Sequence, residues 1–285
     1  MNKSKVVKIK GKFYDLSTKN KSFLQVAQDL QTSGIKNYYF MLEICDPSLV
    51  GIDPHDESKL TKDLINRIIV EIAKNPWYYL RECCRLVDQG GLSMPFSAHK
   101  ANMAQIWCTI NGIDNWTCIS RQKGKTQSAL SIQSWAYSFG TNNSQFIFLN
   151  KTGDDAKTNL KRLTDQIGLL PSYLQFKYLI DSETGKKVVG IDNATKLQHP
   201  ITKNEIIVKG MASSKDKASS IGRGLTANVE HFDEVSDLLP PYIAIYMKNI
   251  SNCGKLLKYK LPSYCSDIIV AKGNALGMVK RFMVG

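Results

Sequence analysis

The chain has 285 residues, 43% of them hydrophobic, and a formal charge of +13, which suits one large domain, or a domain plus an extension, with a sizeable core. It contains no run of roughly 18 uncharged apolar residues such as a membrane span needs, and its opening MNKSKVVKIKGK has lysines with no apolar stretch behind them, so neither a membrane protein nor a secretory leader is expected and the protein should be intracellular. Seven cysteines, with Cys83 and Cys84 adjacent and no C-x-x-C spacing, argue against a disulfide framework or a zinc site and read as reduced, mostly buried thiols.

The two ends carry nearly all of the charge. Residues 1–21 hold seven lysines against Asp15, and residues 248–285 hold seven Lys/Arg against Asp267, whereas residues 22–247 hold 24 basic and 23 acidic residues. Basic ends of this kind either touch nucleic-acid phosphates or are simply solvated. Residues 1–60 mix short apolar patches with turn signals such as CDPS and GIDPHDES and read as an N-terminal extension. From Thr61 the spacing of Leu64, Ile68, Ile69 and Ile72, followed by a restart at Pro76 with Trp77, Leu80 and Cys84, predicts two consecutive amphipathic helices. After the turn DQGGLSMP, HKANMAQIWCTI reads as a third, with Met103, Ile106, Trp107 and Ile110 on one side.

Strand and helix then alternate. NWTCIS, SQFIFLN, NEIIVKG and ANVEHFDEVSD read as strands, with KTQSALSIQSWAYSF and DDAKTNLKRLTDQI as helices between them. This pattern predicts an α/β domain over residues 61–250, with a mostly parallel sheet covered by helices on both faces and ligands at the carboxyl ends of its strands. A basic segment, residues 251–285, follows.

Within that run, SRQKGKTQS at residues 120–128 matches the end of G-x-x-x-x-G-K-[ST] through Gly124, Lys125 and Thr126, with Ile119 where the first glycine belongs. A phosphate-binding loop must follow a buried strand and open a helix, because backbone N–H groups at the turn cradle the phosphates while the lysine reaches the β and γ groups. Residues 116–119 supply the strand, and the helix opens at Lys125. The second half of such a site is carboxylate chemistry on another strand. EHFDEV offers Asp233 to hold Mg²⁺ and Glu234 to polarise the attacking water, although Glu230 and His231 make that strand more polar than usual.

These stretches together resemble the large terminase subunits of tailed bacteriophages, in which the first glycine of the loop is commonly replaced and an Arg-Gln pair precedes Gly-Lys-Thr. NPWYYLRECCRL, HKANMAQIWC, FGTNNSQFIFLNKTGDDAKTNLKRL and GRGLTANVEHFDEVSDL sit where similar blocks occur in that family, so the resemblance covers roughly residues 75 to 245. It implies a P-loop NTPase fold and an ATP- and Mg²⁺-dependent motor subunit that threads double-stranded viral DNA into a capsid. Such a motor works in the host cell cytoplasm as a self-associated ring on the portal protein, with the small terminase subunit as partner. Carried over, Ser120, Arg121, Gln122, Lys123, Gly124, Lys125 and Thr126 form the nucleotide-binding loop, and Thr126 and Asp233 the metal site. Glu234 is the catalytic carboxylate, and Arg121 acts in cis on the γ-phosphate charge. An upstream adenine-contacting glutamine is implied too; Gln105 and Asn102 are both candidates.

Two departures stand out. The Ser/Thr-rich coupling string expected about 30 residues after the acidic pair is replaced by KLPSYCSD, which offers Ser263 and Ser266. The aspartates of a ribonuclease-H-like nuclease are missing too, with only Asp267 after Asp237, so nuclease activity is not expected and the chain reads as the N-terminal ATPase part. An interrupted reading frame and a natural short subunit both account for this. A nucleotide- or portal-binding fragment without turnover and a helicase-like ATPase are the competing functions. For DNA contact, Lys157, Lys161 and Arg162 along one helix and the basic turn Gly222-Arg223-Gly224 are candidates beside plain solvated-surface readings.

Overall fold

The computed structural model describes residues 6–87, 90–113, 115–117, 124–175, 178–180, 183–184, 187–189, 192–210, 227–233 and 267–271. The chain is a mixed α/β protein that groups into two compact units, Met1–Ala104 with Thr164–Phe176, and Gln105–Leu163 with Lys177–Gly285.

In the first unit, strands β1 (Val6–Ile9) and β2 (Lys12–Asp15) form an antiparallel hairpin. Its two turn residues, Lys10 and Gly11, both have positive φ, the conformation whose twist matches the flanking strands. Helix α1 (Lys21–Thr32) follows, and β3 (Glu43–Ile44) completes a three-stranded sheet. The two expected helices are present as α2 (Lys62–Lys74) and α3 (Pro76–Tyr78), the latter continued by a π-turn over Tyr79–Cys83. Asn75 breaks them apart and restarts the second by accepting the N–H groups of Trp77 and Tyr78 on Oδ1. Strands β4 (Arg85–Val87) and β5 (Ser93–Pro95) pair antiparallel.

The N-terminal extension of the sequence reading is folded against these helices through one buried carboxylate. Glu71, 1% exposed on α2, accepts the backbone N–H groups of Cys45 and Asp46 and the side-chain amide of Asn75 at 2.8–3.1 Å, and Asn75 in turn donates to the Glu43 carbonyl. A charge this deep is tolerable only with such a full set of donors. Among the described cysteines, Cys83 and Cys84 are buried as expected, while Cys45 is exposed and Cys108 half-buried.

Helix α4 (Lys100–Ile110) buries Met103, Ile106 and Ile110. Trp107, expected beside them, is 41% exposed, because it lies at the edge of the stripe that the i, i+3, i+7 trio defines. The second unit continues with β6 (Asn115–Thr117), then α5 (Lys125–Trp135) with a π-turn over Ala136–Gly140, and β7 (Gln145–Asn150). Next come α6 (Gly153–Gly168), the hairpin of β8 (Tyr178–Ile180) and β9 (Lys187–Val189), then β10 (Lys196–Gln198), β11 (Glu205–Gly210), β12 (Val229–Asp233) and β13 (Asp267–Ala271).

Six of these strands form one sheet in the order β10, β11, β7, β12, β13, β6. The central trio β11, β7 and β12 is parallel, whereas β10 runs antiparallel to β11, and β13 antiparallel to both β12 and β6. The sheet is therefore mixed rather than mostly parallel. Residues 199–204 between β10 and β11 explain one edge, since a parallel crossover needs about a dozen residues or more. Ser263 and Ser266 lie outside the described residues. Strand β7 is buried from Phe146 to Asn150, and β12 is buried throughout, Glu230 and His231 included, as strands covered on both faces are. Among the described residues, no helix is long and apolar enough to cross a membrane.

The short β10–β11 connection is fastened by Asn204, which is fully buried. Its amide donates to the Tyr137 and Thr141 carbonyls at 2.7 Å and its Oδ1 accepts from Ser144 N–H at 2.9 Å, tying the end of the α5 π-turn to the entry of β7. Beside it, His199 Nδ1 accepts the N–H groups of Ile201 and Thr202 at 3.2 and 3.1 Å, and its ring meets Tyr137 edge-on.

Burial, with a smaller contribution from Lys203, pushes the His199 imidazole down to about 4 from an ordinary 6.5. Protonation thus favours the unfolded chain, so the contribution of His199 to stability should be complete above pH 6.5, fall as pH drops from 6.5 to 4, and level off below. Urea midpoints measured across that window should show this slope, and His199→Gln should flatten it. Glu71→Ala leaves the Cys45 and Asp46 N–H groups and the buried Asn75 amide without their acceptor and should lower unfolding free energy by about 3 kcal/mol, read as a lower urea midpoint at unchanged slope.

Candidate functional site

The site forms where the parallel strands end. Register pairs Leu149 of β7 with Phe232 of β12, so the next residues, Asn150 and Asp233, emerge side by side at the carboxyl edge. The fit there is close. Gly210, the last residue of β11, pairs with Asn150, and a methyl group on it would collide with the Thr152–Gly153 backbone at the start of α6. Only glycine lets that helix begin so near the sheet.

Gly124 precedes α5 in the left-handed region at φ 70°, a conformation that glycine adopts without strain. It occupies the helix N-cap, with Lys125 and Thr126 in the first turn. In any α-helix the first-turn N–H groups point out of the end, and with the helix dipole they favour an anion. Residues 128–135 are all buried. The serines among them are compatible with burial because the hydroxyls of Ser128 and Ser131 donate to carbonyls four residues back, and that of Ser134 to the carbonyl of Ser131, each at 2.8 Å.

Thr126 and Asp233 meet. The Thr126 hydroxyl lies 3.3 Å from Asp233 Oδ1 and 3.2 Å from Oδ2, across 107 positions of chain. Asp233, 6% exposed, also accepts from Asn150 Nδ2 at 3.3 Å and Asn159 Nδ2 at 3.2 Å, both on Oδ2. Donors from α5, β7 and α6 therefore converge on one carboxylate at the end of β12.

Comparison with family models finds no match for this chain, and comparison with curated proteins finds none either. What the site does has to be read from its own residues.

The donor set suits Mg²⁺, which binds through one or two oxygen ligands of the protein and keeps its remaining positions for water and phosphate. Thr126 Oγ1 and Asp233 are such oxygens, and Asn150 adds a buried Oδ1 with no hydrogen-bond partner. Among the described residues no group of three or more His, Cys, Asp or Glu is placed to hold a metal.

Of the two candidates upstream, Asn102 is fully used locally. It accepts from His99 N–H, donates to the Ser97 carbonyl, and its own N–H reaches His99 Nδ1, an arrangement that closes the start of α4. Gln105 is 3% exposed with neither amide atom partnered. Ser120, Arg121, Gln122, Lys123 and Glu234 lie outside the described residues, as do Gly222, Arg223 and Gly224. On α6, Lys157 is paired with Asp154 at 2.9 Å and Arg162 donates to Asn159 Oδ1 at 3.2 Å; Lys161 is exposed.

Sequence reasoning missed Asn150 and Asn159. Asn159 had left a trace, since it interrupts the buried stripe of Ala156, Leu160 and Leu163 with a polar group that needs a partner. Gly210→Ala should push α6 from the sheet edge and destabilise the protein by roughly 2 kcal/mol, measured by urea unfolding; Gly153→Ala, where a methyl group meets nothing within 4 Å, is the control and should cost less.

Proposed function

We propose that this chain is a P-loop ATPase, the ATP-hydrolysing motor subunit of a viral DNA-packaging terminase, coupling hydrolysis to translocation of double-stranded DNA into a capsid. The observation that carries the ATPase reading is the Thr126–Asp233 contact at 3.2–3.3 Å. Two residues chosen from separate motifs, for metal-binding roles that require them to be adjacent, lie within hydrogen-bond reach. The order of loop, helix and acidic strand, and the meeting of both motifs at the carboxyl edge of a parallel trio of strands, support the same reading. The packaging role, the ring on the portal and the small-subunit and DNA partners rest on the terminase resemblance.

In this reading Gly124 lets the loop backbone approach the phosphates, and Lys125 neutralises the β- and γ-phosphate charge. Thr126 Oγ1 and Asp233 would hold Mg²⁺, which when bound would supply charge neutralisation at the transferred phosphoryl group. Glu234, next along the chain, orients and polarises the attacking water, and Arg121 balances the γ-phosphate charge from within the same loop. Gln105 supplies an amide whose donor and acceptor match an adenine edge.

The purified protein should hydrolyse ATP, faster with double-stranded DNA and portal. Lys125→Ala should lower turnover by at least about a hundredfold. Glu234→Gln should lower kcat by about 10²–10⁴ while leaving nucleotide binding intact. A wild type that binds ATP without turnover would replace the motor by a binding fragment. Turnover undiminished in Lys125→Ala would show the site to be misassigned.

A further inference from the structure

We infer that Asn150 and Asn159 are positioning residues for Asp233, fixing the rotation of its carboxylate so that Asp233 and the Thr126 hydroxyl present one preformed oxygen site to Mg²⁺. The inference rests on the nucleotide-site reading and goes beyond it in naming what holds the metal ligand still.

Three observations carry it. Both amides donate to the same atom, Asp233 Oδ2, at 3.3 and 3.2 Å, and they arrive from different elements, the end of β7 and the middle of α6. A carboxylate gripped on one oxygen from two directions cannot rotate about its side-chain bonds without losing a buried donor, and each donor stranded in that way is costly. The second observation is burial: Asn150 is 2% and Asn159 5% exposed, so water is a poor substitute partner for either amide. The third is that the Asn159 amide is itself oriented. Its Oδ1 accepts from Arg162 Nη1 at 3.2 Å, and because a guanidinium can only donate, the oxygen must face Arg162 and the nitrogen must face Asp233. Arg162 is exposed on the outer face of α6, so a chain of two hydrogen bonds links a surface cation to the metal-site carboxylate.

Asn150 has a further property. Its Nδ2 is used on Asp233, while its Oδ1 is buried and without a partner. Both belong to one planar amide, so this acceptor lies beside the same carboxylate, where it suits a proton of a metal-bound water. Partners of this outer kind commonly set metal affinity by 10- to 100-fold.

The test is equilibrium binding of a fluorescent ATP analogue to the full chain, titrated with Mg²⁺ and read without turnover. Asn159→Leu keeps the side-chain volume and removes the donor; it should raise the Mg²⁺ concentration for half-maximal binding about tenfold, with metal-free binding unchanged. Asn150→Ala should give a shift in the same direction, which keeps the inference testable if Asn159→Leu fails to fold, and Arg162→Ala a smaller one. A merely structural role would instead lower the thermal midpoint and weaken metal-free binding, with the Mg²⁺ midpoint unmoved, and that result overturns the inference. Lys125→Ala and Asp233→Ala separate the two levels. If they weaken binding while both asparagine variants titrate like wild type, the positioning role falls and the nucleotide site stands. If they bind like wild type, the nucleotide site falls and the positioning role with it.

Discussion

A carboxylate buried at the end of a strand has to be supplied with donors, and Asp233 obtains them from α5, β7 and α6. Left alone at 6% exposure, its charge would cost several kcal/mol of solvation. Thr126, Asn150 and Asn159 provide the compensation, which ties the first turn of one helix, the edge of the neighbouring strand and the middle of the next helix to a single point. Gly210 serves the same end from a distance, because a larger residue there would keep α6 from starting close enough to bring Asn159 in. The sheet edge, the first turn of α5 and the α6 packing are thus parts of one arrangement.

The first unit solves a similar problem in a similar way. Glu71 is as deeply buried as any carboxylate described, and it is satisfied by backbone N–H groups from residues 45 and 46 together with Asn75. There the donors are mainly backbone groups, which cannot be reassigned without moving the chain, so Glu71 acts as a fastening. Those described at Asp233 are side chains from a helix's first turn, a strand end and a second helix, and a ligand can compete with a hydroxyl or an amide without unravelling a ladder. The same buried chemistry is structural in one place and available in the other.

Much of this was legible in the sequence. The spacing of Ile68 and Ile72, the Pro76 restart and the strand–helix alternation from residue 115 each gave the element observed, because hydrophobic period reports directly on which face is covered. Thr126 and Asp233 were readable because loop-then-helix and strand-then-carboxylate are local signatures. Strand direction was not. The antiparallel β10 follows from a connection too short to cross over, and alternation of elements says nothing of that. Asn150 and Asn159 escaped because their partner is 83 and 74 positions away, and a buried asparagine has no local signature beyond interrupting an apolar stripe.

The sheet order places one strand, β13, between β6 and β12, so the strand leading to the loop and the strand ending in Asp233 stand about 10 Å apart. Thr126 nevertheless meets Asp233, because it stands in the first turn of α5 and not in β6 itself. Either direction for β13 would keep that spacing, but direction decides which of its ends lies at the site. Because β13 runs antiparallel, register sets Asp267 beside Asp233 and beside Thr117, with Ala271 opposite Val229 at the far edge. A parallel strand would have brought its last residue to that position, and the residue beside Asp233 is instead its first.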